Sequence, residues 1–510
     1  MLAQVRSGAV VGIDALPITV EVDFNARGAP GFTVVGLPDA SVQESRERVR
    51  TAIKNIGFDF PIKRYVVNLA PADMRKEGSA FDLPIAIGIL VATEQLRPEM
   101  IENVLFIGEL SLDGKVRHVS GAINLAILAR QQHYHTIYLP DIDAPEAALI
   151  PDITVIPVPT LGHLIEHLYG MNPLPSFDRS VLKPADEPLT QSVDFADIKG
   201  QEMIKRAMEI AAAGAHNVFL MGPPGAGKTL IARALPSILP PLTPDESLEI
   251  TRIYSVADLL PAGRPIPRRR PFRAPHYTIS QAGLVGGGSN PKPGEITLAH
   301  RGVLYLDELM EFGNKLEVLR QPLEDRTVTI SRASGSLTFP ANVMLVGSAN
   351  PCPCGYYGDS SHPCTCGDSG VKRYQSRLSG PILDRFDIQL DVQRVDYDKL
   401  TDHRPSEPSS AVQARVTTAR ERQWARYADL PEIRSNADLT ASYIEKFCKM
   451  TSDAESLLRS AIQRMRLSAR AYHRMLKLSR TIADLDGAET IQISHVAEAV
   501  QYRSRAMLVS

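Results

Sequence analysis

Apolar and polar residues alternate in different ways along three regions of the chain. Over residues 1–170, short runs rich in β-branched and aromatic residues are separated by stretches in which apolar residues recur every three or four positions, and this predicts an α/β domain. The predicted strands are Ile18–Phe24, Phe32–Val35, Tyr65–Leu69, Leu105–Leu110 and Thr136–Leu139, and the predicted helices include Ala40–Asn55 and Leu83–Glu94. Residues 171–192 are rich in proline and polar residues without periodicity, so we predict a linker there.

The second region, residues 193–395, begins with the elements of a doubly wound α/β fold that binds nucleotides. A helix (Gln201–Gly214) precedes an apolar strand (Asn217–Met221), which a glycine loop joins to another helix. We predict a further linker over residues 396–430 and a helical C-terminal lid domain over residues 431–510. That last region contains an amphipathic run, Ala454–Leu485, and a final helix around Ser494–Arg505 with Ser494 as its N-cap.

Length and composition limit the classes of protein. With 510 residues the chain exceeds a single core, and its 44% apolar and 22% charged residues are typical of a soluble globular protein. The longest apolar stretch, around Pro84–Ala92, is about half the length that crosses a bilayer, and the first residues lack a secretion signal. We therefore expect a cytoplasmic protein without a membrane partner. A net charge of −2 argues against coating nucleic acid by bulk charge, so any DNA contact must be local.

A glycine-rich loop between the apolar strand and the following helix carries the strongest chemical signal. Its residues are Gly222, Pro223, Pro224, Gly225, Ala226, Gly227, Lys228 and Thr229. Glycines let backbone N–H groups turn towards the phosphates of ATP, Lys228 reaches the β- and γ-phosphates, and Thr229 ligates Mg²⁺. Leu230 and Ile198 are expected to complete the pocket for ATP.

Two later strands end in polar residues suited to phosphate chemistry. The strand Gly302–Leu306 is followed by Asp307 and Glu308. Asp307 would hold the water shell of Mg²⁺, whereas Glu308 would orient and polarise the attacking water. The strand Val343–Ala349 is followed by Asn350. This succession resembles AAA+ ATPases, in which a polar residue at the place of Asn350, called sensor 1, contacts the γ-phosphate or the lytic water.

The same resemblance assigns roles to arginines. The segment Ser379–Asp387 is similar to the arginine-finger segment of AAA+ ATPases, which implies that Arg385 reaches the nucleotide of a neighbouring subunit. Taken alone, a surface ion pair would be the commoner explanation of Arg385, but its spacing after the other motifs favours the finger. In the helical tail, Arg470 resembles a sensor-2 arginine, and Arg474, one turn later, is the competing choice.

Further segments narrow the resemblance: Arg270–Ser280, Leu284–Gly288 and Pro293–His300. With the phosphate loop, Asn350–Gly355 and Ser468–Arg474, they resemble the magnesium-chelatase-like AAA+ branch, and within it the ComM (YifB) family, over nearly the whole chain.

In this branch two insertions project into the central pore of a hexamer, here around residues 278–293 and 327–339. Even without the resemblance, the alternation in Thr327–Arg332, a turn at Ala333–Gly335 and a return strand predict a β-hairpin. Lys292 and Arg332 are expected either to contact the backbone of DNA threaded through the ring or to be solvated loop charges. The densest basic cluster, which is expected to contact a neighbouring subunit rather than DNA, is Arg268–Arg270 with Arg273.

The N-terminal region is similar to the proteolytic fold of Lon protease, a ribosomal S5 domain 2-like fold, through Lys76–Pro84 and Gly108–Arg117. Catalysis of the Lon type needs a serine nucleophile and a lysine base. The resemblance places Ala80 and Ile123 at these two positions, while Ser79 is one position away. It therefore implies a degenerate scaffold that helps to assemble the ring or to guide DNA.

Four of the five cysteines are close together in sequence: Cys352, Cys354, Cys364 and Cys366. Their number suits one tetrahedral zinc ion, although the C-x-C pairs are tighter than the usual C-x₂₋₄-C spacing. Reduced thiols in a loop are the alternative, because the clustering is unlike a disulfide framework.

The resemblance implies an ATP-dependent hexameric helicase that drives branch migration of recombination intermediates during natural transformation. Its cofactors would be ATP and Mg²⁺, with zinc left open, and its partners single-stranded and branched DNA, with recombination proteins beside it. The second hypothesis is a motor subunit of a magnesium-chelatase type, which would not need the Lon-like domain; the chain also lacks a D-x-S-x-S metal-adhesion motif. The third is a non-proteolytic regulatory AAA+ ATPase.

Overall fold

Strands and helices alternate through the first part of the chain, and the elements after residue 406 are helices. The computed structural model describes residues 2–26, 29–182, 193–261, 265–288, 291–332, 335–359, 361–395, 406–465 and 468–503. The strands are β1 (Leu2–Val11), β2 (Asp14–Asn25), β3 (Gly31–Val35), β4 (Arg64–Ala70), β5 (Val104–Phe106), β6 (Glu109–Leu110), β7 (Val116–Arg117), β8 (Thr136–Pro140), β9 (Thr154–Val158), β10 (Val218–Met221), β11 (Phe272–Arg273), β12 (Gly286–Gly287), β13 (Lys292–Pro293), β14 (Val303–Leu306), β15 (Thr327–Arg332), β16 (Gly335–Pro340), β17 (Met344–Ala349) and β18 (Ile388–Asp391). The helices are α1 (Ala40–Asn55), α2 (Asp82–Ala92), α3 (Ala122–Gln131), α4 (Ala144–Ala147), α5 (Leu161–Leu168), α6 (Glu202–Gly214), α7 (Lys228–Ile238), α8 (Pro244–Val256), α9 (Gln281–Val285), α10 (Glu295–Leu298), α11 (Arg320–Asp325), α12 (Asp368–Gln375), α13 (Gly380–Leu383), α14 (Ser409–Arg426), α15 (Ala441–Phe447), α16 (Ser452–Met465), α17 (Ala469–Leu485) and α18 (Ile493–Gln501).

The chain divides into two compact units, and the division differs from our prediction. The N-terminal unit comprises Met1–Asp186 and Ser247–Pro267, and the second unit comprises Glu187–Glu246 and Arg268–Ser510. Residues 247–267, which we assigned to a continuous domain over 193–395, therefore belong to the N-terminal unit. Within that unit Arg252 binds Asn124 at 3.0 Å and Asp14 at 2.9 Å. The pattern of hydrophobic positions does not predict polar contacts of this kind.

The described residues of the N-terminal unit form two larger sheets and the antiparallel pair β6-β7. The first has the strand order β1-β2-β4-β3, and the second is parallel with the order β5-β8-β9. Helix α2 is buried on every side, as expected of a helix that is apolar all round after its first residue, Asp82. Helix α1 has the predicted bounds, whereas the predicted strand Leu105–Leu110 is wrong because it breaks into β5 and β6. Between them a side chain at Gly108 would lie 2.5 Å from Val116, so the chain passes too close to continue a regular strand.

Five parallel strands, in the order β11-β14-β17-β10-β18, form the sheet of the second unit. Strands β10, β14 and β17 are buried along their whole length, as is usual where both faces of a parallel sheet are covered. Their carboxyl ends meet at one edge and lead into the phosphate loop, Asp307 and Asn350. This edge is where open α/β sheets bind ligands. The predicted α/β fold with a helical C-terminal region is confirmed.

The segment 409–426 is a helix, α14, and not part of a linker as we predicted. Its residues Val412, Val416 and Ala419 are buried in the same apolar core as Val218 of β10. This helical spacing is visible in the sequence, but the polar stretch before it led us to extend the linker too far. Of the predicted linkers, residues 183–192 and 396–405 lie outside the described residues.

The C-terminal helices also refine two predicted boundaries. The amphipathic run is divided into α16 and α17, and the hydroxyl of Ser468 caps α17 by accepting from the backbone N–H of Ala471 at 3.3 Å. Helix α18 starts after Gln492, which forms a capping box with His495, so the prediction of Ser494 as N-cap is wrong. Among the described helices of the whole chain, none combines the length and the apolar character needed to span a membrane.

Both predicted insertions are present as paired strands. Strands β15 and β16 form the expected antiparallel hairpin, with Arg332 opposite Gly335, and residues 333–334 of its turn lie outside the described residues. In the other insertion β12 pairs with β13, while residues 289–290 lie outside the described part. A Cβ at Gly286 of β12 would lie 3.1 Å from Ile330 of β15, so the two insertions pack against each other.

Candidate nucleotide-binding site

Glycines shape the phosphate loop between β10 and α7. Gly225 and Gly227 have φ angles of +77° and +86°, in the left-handed region that other residues disfavour. A Cβ at Gly222 would lie 2.1 Å from the carbonyl oxygen of Val392, so this position has no room for a side chain. The loop leads into the N-terminus of α7, where unpaired backbone N–H groups and the helix dipole favour an anion.

Lys228 connects the phosphate loop with Asn350. Its ammonium group donates to the carbonyl oxygens of Gly222 and Pro223 at 2.7 and 3.0 Å and to Oδ1 of Asn350 at 3.1 Å. Burial lowers the pKa of Lys228, and the nearby charge of Asp307 opposes this shift. The geometry brings the predicted sensor-1 residue to the predicted phosphate-binding lysine.

Thr229 and Asp307 form the candidate magnesium site. The Thr229 hydroxyl donates to Oδ2 of Asp307 at 3.1 Å, and Oδ1 of the same carboxylate accepts from the Ser348 hydroxyl. The Tyr305 hydroxyl lies 3.0 Å from Oγ of Ser348, and burial raises the pKa of Tyr305 to about 12. A hydroxyl and a carboxylate oxygen are suitable ligands for Mg²⁺. We did not predict Tyr305 and Ser348 from the sequence, although polar residues within two apolar strands were a signal.

Glu308 adopts an unusual backbone conformation directly after Asp307. Its φ is +53°, and its N–H donates to Oδ1 of Asp307 at 3.0 Å. Left-handed backbone at a residue other than glycine costs on the order of 1–3 kcal/mol and is often found at functional sites. The side chain is exposed, whereas the preceding strand is buried, so Glu308 is accessible to a water molecule.

The remaining predicted pocket residues differ in exposure. Leu230 is exposed, whereas Ile198 is buried in the apolar core of the second unit. No sequence signal indicated Gln201, whose amide Nε2 donates at 3.0 Å to the carbonyl oxygens of Ala226 and Gln393. Gln201 thus supports the end of the phosphate loop that leads into α7.

The predicted arginines lie together, but their partners are not the phosphate-loop residues. Arg385 and Arg470 both bind the carboxylate of Glu324, at 2.8 Å in the case of Arg385. Arg474 lies 3.6 Å from Asp387. Within the described part of the chain, the structure therefore brings the candidate finger and the candidate sensor-2 residues to one cluster and the candidate catalytic carboxylates to another.

A cleft of about 300 Å³ lies at the arginine cluster. Five cationic side chains line it: Arg326, Arg385, Arg470, Arg474 and Lys477. The side chain of Arg385 is 7% exposed, and its Nε has no hydrogen-bond partner. Burial and the neighbouring cations lower the pKa of Arg385, in opposition to Glu324. Three carboxylates, those of Glu324, Asp387 and Asp438, also line the cleft, so its cations outnumber its anions, an excess that suits an anionic ligand.

The basic residues near the insertions fall into two groups. Lys292 and Arg332 are exposed on β13 and β15. In the denser cluster, Arg270 binds Glu246 at 2.8 Å and Arg273 binds Glu295 at 2.6 Å. These two arginines have partners within the chain, and the expectation that they contact a neighbouring subunit is not needed to explain them.

The four clustered cysteines are brought together in space. Their ligand atoms all lie within 4.8 Å of one another, and Cys352 is buried. The backbone N–H of Tyr356 lowers the pKa of the Cys354 thiol to about 5. The ring of His362 packs on the ring of Tyr356, with 4.3 Å between the ring centres.

The residues at the Lon-type catalytic positions do not form a catalytic pair. Ile123 is fully buried in an apolar core. The hydroxyl of Ser79 donates to the carboxylate of Glu109 rather than to a lysine. Lys76 is itself buried and donates to the carbonyl oxygen of Met74 at 2.8 Å.

Three family models match this chain: magnesium chelatase subunit ChlI at residues 194–400, subunit ChlI of Mg-chelatase at residues 20–143, and the C-terminal part of that subunit at residues 406–503. The chain is 43% identical to competence protein ComM of Haemophilus influenzae, over 100% of this chain and 98% of that protein. It is 42% identical to YifB of Escherichia coli, over 99% of this chain and 97% of that protein. The chloroplast magnesium-chelatase subunit ChlI of Nicotiana tabacum is 27% identical over 34% of this chain and 46% of that protein.

Proposed function

Because this chain belongs to the ComM (YifB) family of magnesium-chelatase-like AAA+ proteins, we propose that it is an ATP-hydrolysing DNA helicase. As a hexamer in the cytoplasm it drives branch migration of recombination intermediates during natural transformation, on single-stranded and branched DNA and beside recombination proteins. The name of the Haemophilus relative, a competence protein, supports this assignment. The observation that carries the motor function is the pair of contacts from Lys228 to Asn350 and from Thr229 to Asp307.

The geometry suits phosphoryl transfer to water. Lys228 and the loop N–H groups bind the β- and γ-phosphates, and Thr229 and Asp307 would hold Mg²⁺, which supplies charge neutralisation. Glu308 orients and polarises the attacking water, while Asn350 senses the γ-phosphate. Catalysis then depends on positioning and electrostatic stabilisation rather than on a covalent intermediate.

The arginine cluster completes the site from a neighbouring subunit. Arg385 and Arg470 are gathered around Glu324, on a cleft lined by cations. In a ring, the γ-phosphate bound by the next subunit competes with Glu324 for Arg385 and Arg470. This arrangement makes hydrolysis dependent on assembly.

The two packed insertions provide the DNA contacts. Lys292 and Arg332 are exposed on neighbouring insertions, and cations at such positions grip phosphates without regard to base sequence. Each phosphate of single-stranded DNA that a variant no longer neutralises reduces the slope of log affinity against log salt by about 0.7. We expect Lys292→Ala and Arg332→Ala to show this reduction, whereas Arg459→Ala, which removes an exposed arginine from helix α16, keeps the slope. If the slope of log affinity against log salt is equal in all variants, the two insertions do not contact the phosphates of DNA.

A magnesium-chelatase-type motor is the second candidate, favoured by the matches to ChlI models at residues 20–143, 194–400 and 406–503. A non-proteolytic regulatory ATPase is consistent with Ile123 and the hydrogen-bonded Ser79 but has no further support. Stimulation of ATP hydrolysis by DNA, compared with stimulation by porphyrin-binding partner proteins, separates the first two candidates.

The deciding experiment is dissociation of a labelled four-way DNA junction in the presence of ATP and Mg²⁺. We expect strand separation by the wild type and none by Lys228→Ala, with Arg459→Ala as a matched control that separates the strands normally. Hydrolysis of ATP without strand separation at any salt concentration would contradict the helicase assignment.

A further inference from the structure

Four thiols surround one point in the loop that follows Asn350. The sulfur of Cys352 lies 3.3 Å from that of Cys354 and 3.7 Å from that of Cys364, and Cys354 and Cys364 are 3.6 Å apart. Cys366 lies within 4.8 Å of the other three. Four sulfurs in a tetrahedron around zinc, each at about 2.3 Å, are about 3.8 Å from one another. The side chains are therefore already close to the arrangement that the metal requires.

Other states of these thiols fit less well. A disulfide would bring two sulfurs to about 2.05 Å, far closer than any pair in this cluster. In a cubane iron–sulfur cluster each cysteine binds a different iron, which holds the sulfurs farther apart than they are here. Thiolates are soft ligands, and a closed set of four of them without a water position is typical of structural zinc.

The cysteine loop also packs on the phosphate loop. Gly355, which directly follows Cys354, has a φ of +87°, and a Cβ at this position would lie 2.6 Å from the ring of Pro224. Arg394 supports the same contact, because it lies 5.5 Å over the ring of Tyr356 and donates to the carbonyl oxygen of Pro224 at 3.5 Å.

We propose that Cys352, Cys354, Cys364 and Cys366 bind one zinc ion, and that this ion holds the cysteine loop against Pro224 so that zinc occupancy sets the affinity for nucleotide. The second part rests on the proposed nucleotide binding at the phosphate loop. Between Asn350 and helix α12 the described residues form neither helix nor strand. The bound metal therefore stabilises the conformation of this loop, as an apolar core stabilises other segments.

Metal content of the purified full-length chain tests the site itself. Elemental analysis should find one zinc per chain, a loss of zinc in Cys354→Ser, and full occupancy in Cys448→Ala, which removes the buried fifth cysteine outside the cluster. A mercurial reagent should release the zinc from the wild type, so the result does not depend on the folding of a variant. Iron in place of zinc, or no metal after growth with added zinc, overturns the proposal.

A pair of glycine substitutions tests the link to the nucleotide. Gly355→Ala keeps all four thiols but forces a methyl group against Pro224, whereas Gly358→Ala has a similar φ of +81° and nothing within 4 Å of the added atom. We expect both to retain zinc, and only Gly355→Ala to raise the Kd of a fluorescent ADP analogue, by about tenfold. Equal effects of the two variants overturn the link.

Zinc removal from the wild type should raise the same Kd, and added zinc should restore it. A Kd that is independent of zinc overturns the link between the two loops. Failure of the zinc-loaded wild type to bind nucleotide at all would instead contradict the proposed function, so the two failures are distinguishable.

Discussion

The two halves of the proposed ATP site differ in how complete they are within one chain. At the phosphate loop, Lys228 already contacts Asn350 and Thr229 already contacts Asp307, each at 3.1 Å. At the arginine cluster, the cations are instead neutralised by the chain's own carboxylates, above all by Glu324. We therefore expect the first half to need only its nucleotide, whereas in the second half an anion from outside the chain would have to displace Glu324 from the arginines.

The unequal halves indicate how a ring can control hydrolysis. The proposed nucleotide-binding residues lie at one sheet edge, so we expect a lone subunit to bind ATP. Arg385, just after α13, and Arg470, on α17, lie on other elements, and we propose that they act only when a neighbour presents its γ-phosphate. Substitutions in each half test whether the two are separate in this way.

The largest effect is expected from Arg385→Ala. Loss of an arginine finger lowers ATP turnover by about 10³–10⁵-fold, while nucleotide affinity should stay within a few-fold because the phosphate loop is untouched. Mixing this variant with Glu308→Gln should restore turnover, since some interfaces then combine an intact Glu308 with an intact Arg385 from the other chain. Steady-state hydrolysis of the mixture at increasing ratios measures this. Without restoration, Arg385 acts within its own chain or not at all.

Asn350→Ala tests the same division of the site by a change in the half that contains the phosphate loop. Removal of one polar contact to the reacting phosphate costs about 10²–10³-fold in turnover. Mixing with Glu308→Gln should not restore hydrolysis here, because Asn350 and Glu308 belong to the same half and every site lacks one of them. Restoration in this mixture would show that the two halves are not divided as we propose. Two measurements distinguish slow chemistry from weak binding: the rate of single-turnover hydrolysis and, separately, the amount of nucleotide bound.

The residues of the first half could be predicted from sequence patterns, whereas the arginines of the second half could be predicted only through the resemblance to AAA+ ATPases. Glycine spacing and strand ends predict Lys228, Thr229, Asp307 and Asn350 because parallel strands bring their carboxyl ends to one edge. The shared role of Glu324 could not be predicted, since it depends on how separate elements pack.

The same limit applies to the fold. Helix α14 has a readable apolar spacing, and we missed it only because a polar stretch precedes it. By contrast, the polar contacts of Arg252 within the N-terminal unit could not be predicted from periodicity, although Leu248 of the same segment also packs on an apolar core of that unit. The contact between the buried hydroxyls of Tyr305 and Ser348 could not be predicted, because the sequence does not show that their two strands are neighbours in the sheet.

Exposure separates the two sensor-2 candidates. The side chain of Arg470 is 55% exposed, whereas that of Arg474 is 12% exposed beside Asp387. We expect Arg470→Ala to lower turnover by roughly 10²-fold without a change in thermal stability. Hydrolysis rates and thermal unfolding of the two variants, measured side by side, check both expectations. A large loss of stability in Arg470→Ala would instead indicate a structural role for Arg470 and leave Arg474 as the sensor-2 residue.

Arg474→Ala should instead destabilise the fold, by about 1.5–3 kcal/mol. Burial opposes ionisation of Asp387, but a hydrogen bond with His216 and the charges of Arg474 and Lys477 keep the pKa of this carboxyl well below its usual range. A carboxyl with a depressed pKa stabilises the fold at pH values above its ordinary pKa, and this contribution is lost as the pH falls through the depressed value. The destabilisation by Arg474→Ala should therefore be largest near neutral pH and shrink in acid, as denaturant unfolding at several pH values will show.

The smallest effect is expected from Glu324→Gln, and it tests the link between the halves. Glu324 is 45% exposed, and exposed ion pairs contribute about 0.2–1 kcal/mol. Releasing Arg385 and Arg470 from this carboxylate should favour the contact with a neighbour's phosphate, so ATP-dependent assembly should occur at a concentration up to about fivefold lower. Mass photometry measures this shift, with Glu455→Gln as the control because it removes an exposed partner of an arginine on α16. If Glu324→Gln instead abolishes ATP turnover, the carboxylate takes part in the chemistry or in the contact between subunits. Glu324 would then do more than hold Arg385 and Arg470 until a neighbour's phosphate replaces it.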